Sequence, residues 1–525
     1  MNTRHDDELR NELVRGFALA LGVAADEAVV RYVTEGRGGL EGRAVELLRW
    51  DANSVHGYVF DTGNASVIRG ASHVLKSLDA ELKTGKRLGL DPAQVLFAGG
   101  GGGVAVVAAD RVAGLTDALH RLYVRRTQAA TCTVASVRLE AEGEHFGQRM
   151  AALHWQLARQ RARCGADAEA PVPFFAHRCQ VCGRRAAATE VRRGLEHRQR
   201  KECSPCFERI EAGKGHVQSE QEASDYEELA SADGTIGVIY LDGNRIGTTI
   251  SQLKSPLAYA SFSVAIERAM KEAFTRVAER YALVEEGAGG SGQQYQMPIA
   301  GGDDRVLIVA GDVAVPLARD FLAAFQRAAD SDAFLHGVSG GPIGAAAGIA
   351  VGKVKFPIRH LLEEAEALLE SAKQRVYADG VRCALDFAVV DDGTPRRASA
   401  PAARFAADGS PMLLSGKPYS LEEFVRFSDR RRVICESLAT TQLHALRRYA
   451  QAGPWQLRNH VLFQIGRHQS WRELACALAE NGDPLRDPDA AFDVFVPRDG
   501  GGQRTFDVAD MIELQRNWRE GGASP

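Results

Sequence analysis

The sequence predicts an α+β protein with two αβ units, a cysteine-bearing segment between them and a helical C-terminal region. Strand-like and helical apolar patterns alternate along residues 50–139 and again along residues 235–390. The charged stretch between these units carries two closely spaced cysteine pairs, and helical periodicity returns after about residue 400. A chain of 525 residues has room for three or four domains of ordinary size, which agrees with this division.

Shifts in composition along the chain give the expected domain boundaries. We expect an N-terminal helical segment at 1–45, a first αβ unit at 46–150, the cysteine-bearing insert at 151–234, a second αβ unit at 235–398 and a helical C-terminal domain at 399–525. The last boundary lies in a loop rich in Pro, Ala and Ser.

The composition is that of a soluble globular protein. Hydrophobic residues make up 45% of the chain and charged residues 25%, which is enough apolar surface for a large core. A net charge of −4 excludes a uniformly basic nucleic-acid coat, although a local basic patch is compatible with it. No apolar run approaches the roughly 18 residues of a membrane span, so we expect a cytoplasmic protein that does not bind a membrane.

The first αβ unit is expected to alternate strands and helices around a glycine run. We predict an extended stretch at Val55–Phe60, a helix at Ile68–Leu82, strands at Val95–Phe97 and Val104–Val107, a helix at Asp110–Tyr123 and a strand at Cys132–Leu139. The chain contains 53 glycines, more than usual, and the run between the two middle strands marks a tight turn.

The second αβ unit has the element order of a ferredoxin-like fold. We predict strands at Ile236–Leu241, Pro298–Ala300, Arg305–Ala310, Pro342–Val354 and Arg382–Val390, helices at Tyr259–Leu283, Val313–Ala329 and Pro357–Gln374, and a loop at Glu285–Gln294. This order, with the helices on one side of the sheet, is the split βαβ arrangement.

Four of the nine cysteines have the spacing of a metal site. They form two Cys-x2-Cys pairs separated by 20 residues: Cys179 and Cys182, then Cys203 and Cys206. Such pairs supply the four soft ligands of a tetrahedral structural Zn²⁺ ion. The alternative is two coincidental pairs of buried thiols, and we expect the other five cysteines in the core. An odd number of cysteines without a secretory signal argues against a disulfide framework.

A glycine and aspartate turn is the candidate catalytic motif. Gly301, Gly302, Asp303 and Asp304 join two predicted strands, so that two carboxylates lie at a hairpin tip and the glycines leave space for a nucleotide. Asp242 ends the strand that would lie beside this hairpin in a ferredoxin-like sheet. Three converging carboxylates suit two hard divalent cations and in-line phosphoryl transfer. The alternative is a solvated acidic hairpin.

Lys373 is a further candidate, because it lies near the end of the last predicted helix of the second unit. In that position its ammonium group has two interpretations. It could reach a nucleotide triphosphate, or it could interact with the dipole at the helix C-terminus.

These motifs resemble a known family, the large polymerase/cyclase subunit of type III CRISPR effector complexes, which is related to GGDEF cyclases. The resemblance covers about residues 45–525. The matching segments are Leu241–Gly247, Gly301–Asp304, Gly348–Val351 with the helix from Pro357 to Lys373, Lys417–Tyr419 followed by Leu421, and, in the first unit, Gly57–Phe60, Ile68–Ser72 and Phe97–Gly103.

The resemblance implies two ferredoxin-like palm domains, a zinc-ribbon-bearing insert between them and an α-helical C-terminal domain. In the first palm the run Gly99–Gly103 replaces the acidic turn, so this palm resembles a nucleotide-holding domain and not a metal site. The nucleotide-binding residues implied by the resemblance are Gly99, Gly100, Gly101, Gly102, Gly301, Gly302 and Lys373.

The family makes cyclic oligoadenylates from ATP as a second messenger for antiviral defence. The resemblance therefore implies that Asp242, Asp303 and Asp304 hold two Mg²⁺ or Mn²⁺ ions, which would activate the 3′-hydroxyl of one ATP to attack the α-phosphate of another. Both nucleotides would lie between the palms, with Gly99–Gly103 on one side and Lys373 on the other. The implied partners are ATP, guide and target RNA, and small effector-complex subunits.

The sequence departs from the family pattern at two places. Asn244 stands where many members have a second aspartate two residues after the first, which lowers the local negative charge. Larger members begin with a His-Asp nuclease domain, whereas the N-terminal segment here offers only the pair His5 and Asp6. We therefore expect no DNA nuclease activity.

The segment 178–201 is strongly basic, with eight arginine or lysine residues against two glutamates. It is expected to meet RNA phosphates or an acidic partner, or to form a solvated surface around the zinc site. Two other functions remain open at this point. The chain could be a catalytically silent scaffold subunit of a guide-RNA ribonucleoprotein, or a cyclase that makes another cyclic nucleotide, such as a dinucleotide.

Overall fold

Two β-sheets, each covered by helices on both faces, organise the chain. The computed structural model describes residues 3–36, 44–139, 145–164, 172–193, 198–220, 225–285, 292–337, 341–390, 412–479, 483–497 and 504–522. Within these ranges no helix is long and apolar enough to cross a membrane.

The first sheet has four antiparallel strands in the order β2-β3-β1-β4, which is the order of a ferredoxin-like fold. The elements up to its last strand are α1 (Thr3–Leu21), α2 (Glu27–Glu35), β1 (Val45–Ala52), α3 (Val55–Val59), α4 (Ala65–Lys83), β2 (Val95–Gly99), β3 (Gly102–Ala108), α5 (Val112–Thr127) and β4 (Cys132–Arg138). Leu48 and Trp50 face α4 and α5, whereas Leu47 and Val106 share a core with α1 and α2.

The prediction that Val55–Phe60 is extended is wrong, because this stretch contains the short helix α3. The Ser54 hydroxyl caps this helix by accepting a hydrogen bond from the Gly57 amide at 3.1 Å. The strand lies just before it, in β1. A short apolar run carries too little periodicity to distinguish a strand from one and a half helical turns, which explains the error.

The segment between the sheets divides into two parts. Helix α6 (Phe146–Cys164) spans the expected boundary at residue 150 and packs against β4 and β1, so it covers the first sheet. The cysteine-bearing part then follows with β5 (Thr189–Arg193), β6 (Arg198–Glu202), α7 (Ser204–Glu220) and α8 (Tyr226–Leu229).

The second sheet has six strands in the order β10-β11-β7-β12-β13-β15, and its first four repeat the ferredoxin-like order. Its elements in the chain are β7 (Thr235–Asn244), α9 (Ile246–Gln252), α10 (Pro256–Arg280), β8 (Val284–Glu285), β9 (Gly292–Gln293), β10 (Gln296–Gly301), β11 (Asp304–Ala310), α11 (Gly311–Ser331), α12 (Ala333–Gly337), β12 (Gly344–Lys353), α13 (Ile358–Asp379) and β13 (Ala384–Val390). Part of the predicted loop Glu285–Gln294 lies outside the described residues.

The two helices of the split βαβ unit, α10 and α11, lie on one side of the second sheet, as predicted, and the later helix α13 covers the other side. Ile239 and Leu241 of β7 share a core with α10 and α11, whereas Val238 and Tyr240 of the same strand share a core with α13. The continuous apolar character of β7 explains this, because a strand buried on both faces needs a helix layer on each.

The C-terminal region is helical and docks against the second sheet. Its elements are β14 (Met412–Leu413), β15 (Tyr419–Ser420), α14 (Leu421–Ser437), α15 (Thr440–Ala452), α16 (Pro454–Arg467), α17 (Gln469–Leu478), α18 (Pro488–Asp493), β16 (Arg504–Thr505) and α19 (Val508–Glu513). Strand β15 adds to the edge of the second sheet by pairing with β13. Lys417 reinforces this junction, since its Nζ lies 2.7 Å from Glu513 Oε2 and 2.7 Å from the carbonyl oxygen of Phe387.

The cysteine-bearing part is fixed to the first palm through a close helix crossing. Helix α7 packs along α4, and a Cβ placed on Gly70 of α4 would lie 1.6 Å from the carbonyl oxygen of Arg209. Only glycine permits this approach. The Arg209 side chain is buried there, and its Nη1 donates to the Tyr58 carbonyl oxygen and to Asp61 Oδ2, both at 3.2 Å.

We expect Gly70→Ala to destabilise the protein by about 1–3 kcal/mol, because the added methyl group must push α7 away from α4. The matched control is Gly114→Ala in α5, where an added Cβ meets nothing within 4 Å. There the helix propensity of alanine should raise stability by up to about 1 kcal/mol. Denaturant unfolding followed by circular dichroism measures both changes, and equal effects of the two substitutions would contradict the crossing.

Candidate active site and metal centre

The acidic turn and Asp242 lie at the same end of the second sheet. In the β10–β11 hairpin Gly301 pairs with Asp304, and β11 lies beside β7 with Arg305 opposite Leu241. Asp242 follows Leu241 directly, so the strand register brings it next to the turn. The adjacency predicted from the ferredoxin-like order is therefore present in the structure.

The three carboxylates carry more negative charge than their surroundings neutralise. Burial and the neighbouring Asp242 carboxylate raise the pKa of Asp303 to about 7. Burial also raises the pKa of Asp242, although the Lys373 ammonium opposes this effect. A cation placed among these buried carboxylates would favour their ionised forms.

Lys373 contacts the acidic cluster directly, since its Nζ lies 2.8 Å from Asp242 Oδ2. Helix α13 continues to Asp379, so Lys373 is not at the helix C-terminus. The interpretation that its ammonium group interacts with the helix dipole is therefore wrong. The side chain instead brings a positive charge from the helix layer to the end of β7.

The donor set fits hard divalent cations. Carboxylate oxygens are the ligands that Mg²⁺ and Mn²⁺ prefer. Asp304 Oδ1 is buried and accepts no hydrogen bond from the described residues, which leaves a desolvated acceptor at the site. Within the same ranges, however, only the four cysteines bring three or more potential ligand atoms within 4.8 Å of one another. The carboxylates would therefore have to adjust around an ion.

Asn244 serves the sheet and not the acidic cluster. Its side chain is buried, and Nδ2 donates to the carbonyl oxygen of Arg382 at 3.2 Å. The amide thus ties the end of β7 to the segment that leads into β13. An ionised aspartate could not donate that hydrogen bond, which accounts for the amide at this position.

The glycine run of the first palm touches the acidic turn of the second. A Cβ placed on Gly301 would lie 2.3 Å from the Cα of Gly100, so the two turns approach at backbone contact distance. Helix α4 adds a second contact, because Lys76 Nζ donates to the Met297 carbonyl oxygen at 3.3 Å. A nucleotide between the palms would have to lie beside the Gly100–Gly301 contact, since nothing fits through it.

Three groups of the first palm hold the glycine run in place. The Gly101 amide donates to the buried Asp79 Oδ2 at 3.0 Å, and the Gly101 carbonyl accepts from the Tyr123 hydroxyl at 2.7 Å and from the Ala52 amide at 2.9 Å. Gly101 has a φ of 83°, which favours glycine. These three contacts within the first palm thus hold in place the turn that meets the acidic site.

Sequence reasoning missed Asp79 and Tyr123, and it also missed His56 and Tyr240 near the acidic turn. His56 Nε2 lies 2.7 Å from the Tyr240 hydroxyl and 3.9 Å from Asp304 Oδ2. Each pair joins residues that are far apart in the chain, so no local spacing could have indicated it. The one available signal was Tyr240, whose hydroxyl interrupts the apolar stretch Ile236–Leu241.

The four cysteines converge as their spacing predicts. Cys179, Cys203 and Cys206 are buried, Cys182 is half-buried, and their sulfur atoms all lie within 4.8 Å of one another. Hydrogen bonds from the thiols of Cys203 and Cys206 lower the pKa of Cys182. Four sulfurs on two knuckles fit Zn²⁺, and this convergence argues against two coincidental pairs.

The other cysteines are not all in the core, as we expected, because Cys476 is exposed. The basic segment is also partly internal. Arg184 and Arg185 lie 2.8 and 2.5 Å from the two carboxylate oxygens of the buried Asp61. The side chains of Arg192, Arg193 and Arg198, like that of His5 in α1, lie outside the described residues.

We expect the stability of the first palm to fall as the pH rises from about 4 to 7. Burial raises the pKa of Asp79 to about 7, so between these values the folded chain retains a proton that the unfolded chain has lost. Asp79→Asn removes the ionisation. The variant should gain up to about 4 kcal/mol over the parent at pH 8 and little at pH 4, at about 1.4 kcal/mol per pKa unit.

Thermal unfolding of parent and variant at both pH values measures this difference. The control is Asp117→Asn on the exposed side of α5, which should leave the pH profile unchanged. If Asp79→Asn shifted Tm equally at pH 4 and pH 8, the buried carboxyl would not carry the effect.

The purified chain should contain about one zinc ion, and Cys206→Ser should lose it, because a hydroxyl replaces a buried thiolate ligand. Since zinc binding is also folding energy, the variant should unfold at a lower temperature. Cys476→Ser is the matched control and should retain the metal. Elemental analysis decides the point, and an unchanged zinc content in Cys206→Ser would refute the site.

The second palm is the part of the chain that matches a known family. Residues 235–381 match the family model described as Cas10/Cmr2, second palm domain. A comparison with curated protein sequences finds no match.

Several solved structures share the fold. Csm1 of T. onnurineus is 14% identical, with 86% of this chain and 69% of that chain covered and a TM-score of 0.52. A Csm1-Csm4 cassette in complex with pppApApA is 14% identical, with 89% and 72% covered and a TM-score of 0.52. The cassette in complex with AMPPNP is 14% identical, with 95% and 72% covered and a TM-score of 0.50.

The family match falls on the unit that holds Asp242 and the acidic turn, and the likeness of fold extends over most of the chain. Both agree with the resemblance read from the sequence motifs. Residues 235–381 match the second palm domain of the Cas10/Cmr2 family, and over most of its length the chain shares the fold of Csm1.

Proposed function

We propose that this chain is a nucleotidyltransferase that makes cyclic oligoadenylates from ATP in the cytoplasm, as a signalling subunit of CRISPR-type antiviral defence. The observation that supports this most is the gathering of Asp242, Asp303 and Asp304 at one end of the second sheet, with negative charge in excess. These residues lie within the part of the chain that matches the Cas10/Cmr2 second palm.

Asp242, Asp303 and Asp304 would hold two Mg²⁺ or Mn²⁺ ions. When bound, such ions supply activation of a 3′-hydroxyl and neutralise charge on the α-phosphate and the departing pyrophosphate. The share of the protein is to fix the carboxylates, because β7 and the β10–β11 hairpin belong to one rigid sheet. Gly301 and Gly302 present a backbone without side chains, against which a nucleotide can lie.

Lys373 would serve as a phosphate-binding residue. In the structure its ammonium group neutralises Asp242 across 2.8 Å. A divalent cation on Asp242 would repel that ammonium group, and the nearest new source of negative charge would be the triphosphate of the substrate. The Lys373 side chain would thereby leave Asp242, which then binds the cation, and contact the nucleotide instead.

The solved relatives support an adenine nucleotide as substrate. The similar Csm1-Csm4 cassettes were solved with pppApApA and with AMPPNP. We infer that this chain likewise takes ATP between its palms, beside the Gly100–Gly301 contact, where Gly99 is half-buried and Gly102 is buried. A Csm4-like subunit is the corresponding protein partner, together with guide and target RNA. A structural Zn²⁺ would stabilise the insert.

One observation favours a second candidate, a catalytically silent scaffold. The Lys373 ammonium already compensates Asp242, and Asn244 gives the strand an amide where a further carboxylate could have strengthened a cation site. A chain that has lost its cations would keep such an internal ion pair in their place. The scaffold would still bind its protein and RNA partners through the insert and the C-terminal helices.

The test is turnover of ATP with Mg²⁺ or Mn²⁺, with partner subunits and RNA added, and with products separated by ion exchange and identified by mass. The double substitution Asp303→Asn/Asp304→Asn should reduce product at least about 100-fold, since several kcal/mol of charge stabilisation is lost. Both amides relieve like-charge repulsion, so the fold should survive. The control is Asp379→Asn at the exposed end of α13.

The outcomes separate the candidate functions. Undiminished product in the double variant would refute the assignment of the acidic turn. Binding of subunits and RNA without turnover of any nucleotide would establish the scaffold. Turnover of GTP or of mixed nucleotides in preference to ATP would identify a cyclase for another messenger.

A further inference from the structure

The C-terminal region contains a segment whose charge is entirely positive. Residues 437–472 include five arginines and no aspartate or glutamate, although the whole chain has a net charge of −4. Helices α15 and α16 lie within this segment and pack against each other. Because the segment has no carboxylates of its own to compensate the arginines, it favours a polyanionic partner.

Two large aromatic side chains lie on the solvent side of α16. Trp455 and Phe463 are 68% and 55% exposed. The opposite face of the helix packs into the core through Leu457, Val461 and Ile465. At about 1.5 Å per residue the two rings are about 12 Å apart along the helix, much further than the about 3.4 Å between stacked bases. Bases that contact both rings must therefore be separated from each other, which a single strand permits and a duplex does not.

An arginine lies beside each of these rings. The guanidinium carbon of Arg458 is 5.9 Å from the Trp455 ring centroid, and that of Arg467 is 5.2 Å from the Phe463 ring centroid. Arg458 is paired with Asp489 at 2.6 Å, whereas Arg467 is exposed and forms no ion pair with the described residues. An exposed guanidinium beside an aromatic ring can bind the phosphate next to a base that stacks on that ring.

Helix α15 contributes a further arginine near the Phe463 end of this face. The Tyr449 ring of α15 stacks on the His460 ring of α16 at a centroid distance of 4.1 Å. The guanidinium carbon of Arg448 lies 5.4 Å from the Tyr449 ring centroid, and burial together with the Arg448 charge lowers the pKa of His460. Since His460 is one helical turn before Phe463, Arg448 lies near that ring. Arg448 is exposed and, like Arg467, has no ion-pair partner among the described residues.

We propose that the exposed face of α16, with the adjoining edge of α15, binds single-stranded RNA. Bases stack on Trp455 and Phe463, and phosphates contact Arg448 and Arg467. The exposed Asn459 lies midway between the two rings along the helix, so its amide can meet a ribose hydroxyl or a base edge. The inference rests on the proposed function in naming RNA as the partner, and it assigns RNA a surface outside both palms and the basic insert.

The arrangement of this face favours RNA over a protein partner. Exposed rings and guanidinium groups alternate along it, as bases and phosphates alternate along every single strand. A protein would need pockets for the rings and carboxylates for the arginines at the same spacing, which only a specifically matched surface provides.

The experiment measures fluorescence anisotropy of a labelled, unstructured single-stranded RNA of about 16 nucleotides with the full chain. Trp455→Ala/Phe463→Ala should weaken binding at least about tenfold, because the platforms for two bases are lost. Trp455→Phe retains an aromatic face and should keep most of the affinity, whereas Trp455→Leu retains only apolar surface and should not. The matched control is Tyr377→Ala, since this ring is 64% exposed but lies in α13, a helix with several carboxylates.

The salt dependence of binding tests the phosphate contacts independently of stacking. Each phosphate contact to a single strand contributes about 0.7 to the slope of log affinity against log salt, so Arg448→Gln/Arg467→Gln should make this slope less steep by about 1.4. The control is Arg486→Gln, whose side chain is 89% exposed outside this face. Thermal unfolding should be the same in all variants and the parent, because every substituted side chain is exposed.

Several results would overturn the inference. Unchanged RNA affinity in Trp455→Ala/Phe463→Ala, or equal affinity of Trp455→Leu and Trp455→Phe, would exclude stacking on these rings. Loss of a protein subunit from the double variant with RNA binding intact would identify a protein-docking surface instead. Tighter binding of single-stranded DNA than of RNA of the same sequence would exclude RNA as the partner.

The two proposals can fail separately. If the parent binds RNA through this face and makes no product from ATP, the proposed function fails and the RNA surface stands. If the parent makes product and Trp455→Ala/Phe463→Ala binds RNA as the parent does, only the RNA surface is overturned. A parent that binds no RNA also overturns the surface, and ATP turnover then decides the proposed function alone.

Discussion

The backbone contact between Gly100 and Gly301 is the constraint on which the rest of the site depends. Two hairpin turns can meet at this distance only if neither carries a side chain, and their meeting sets the separation of the two sheets. Two further contacts cross the same junction, Lys76 with Met297 and His56 with Tyr240. A nucleotide held between the palms would therefore have to lie to the side of the glycines.

Charge is distributed unevenly across this junction. The second palm concentrates three carboxylates at the acidic site. Burial raises the pKa of Asp242 and of Asp303, and only the Lys373 ammonium lies in ion-pair contact with Asp242 among the described residues. The insert does the opposite, because Arg184, Arg185 and Arg209 surround one buried Asp61. The charge of Asp61 is compensated by the three arginines around it, whereas the negative charge of the acidic turn lacks such compensation.

The features of the site that depend on element order and residue spacing could be predicted from the sequence. The contacts that depend on how helices pack on the sheets could not. The hairpin, its adjacency to Asp242 and the convergence of the four cysteines follow from element order and ligand spacing, and the structure contains all three. The pairing of Lys373 with Asp242 and the approach of His56 depend on how helices settle on sheets, which no single segment encodes. The same reason explains why the face that α13 covers could not be predicted, because an apolar strand does not indicate which helix covers which side.

The strand β15 has a consequence for the order in which the chain can fold during synthesis. It completes the edge of the second sheet from residues 419–420, and the sheet is further tied down by Arg519, which donates to Asp312. Until those residues leave the ribosome, the edge of β13 is exposed and the second palm lacks the contacts made by β15 and Arg519. Helix α1 also packs against α10, so the second palm makes contacts with both ends of the chain. These long-range contacts predict slow and late folding of the second palm.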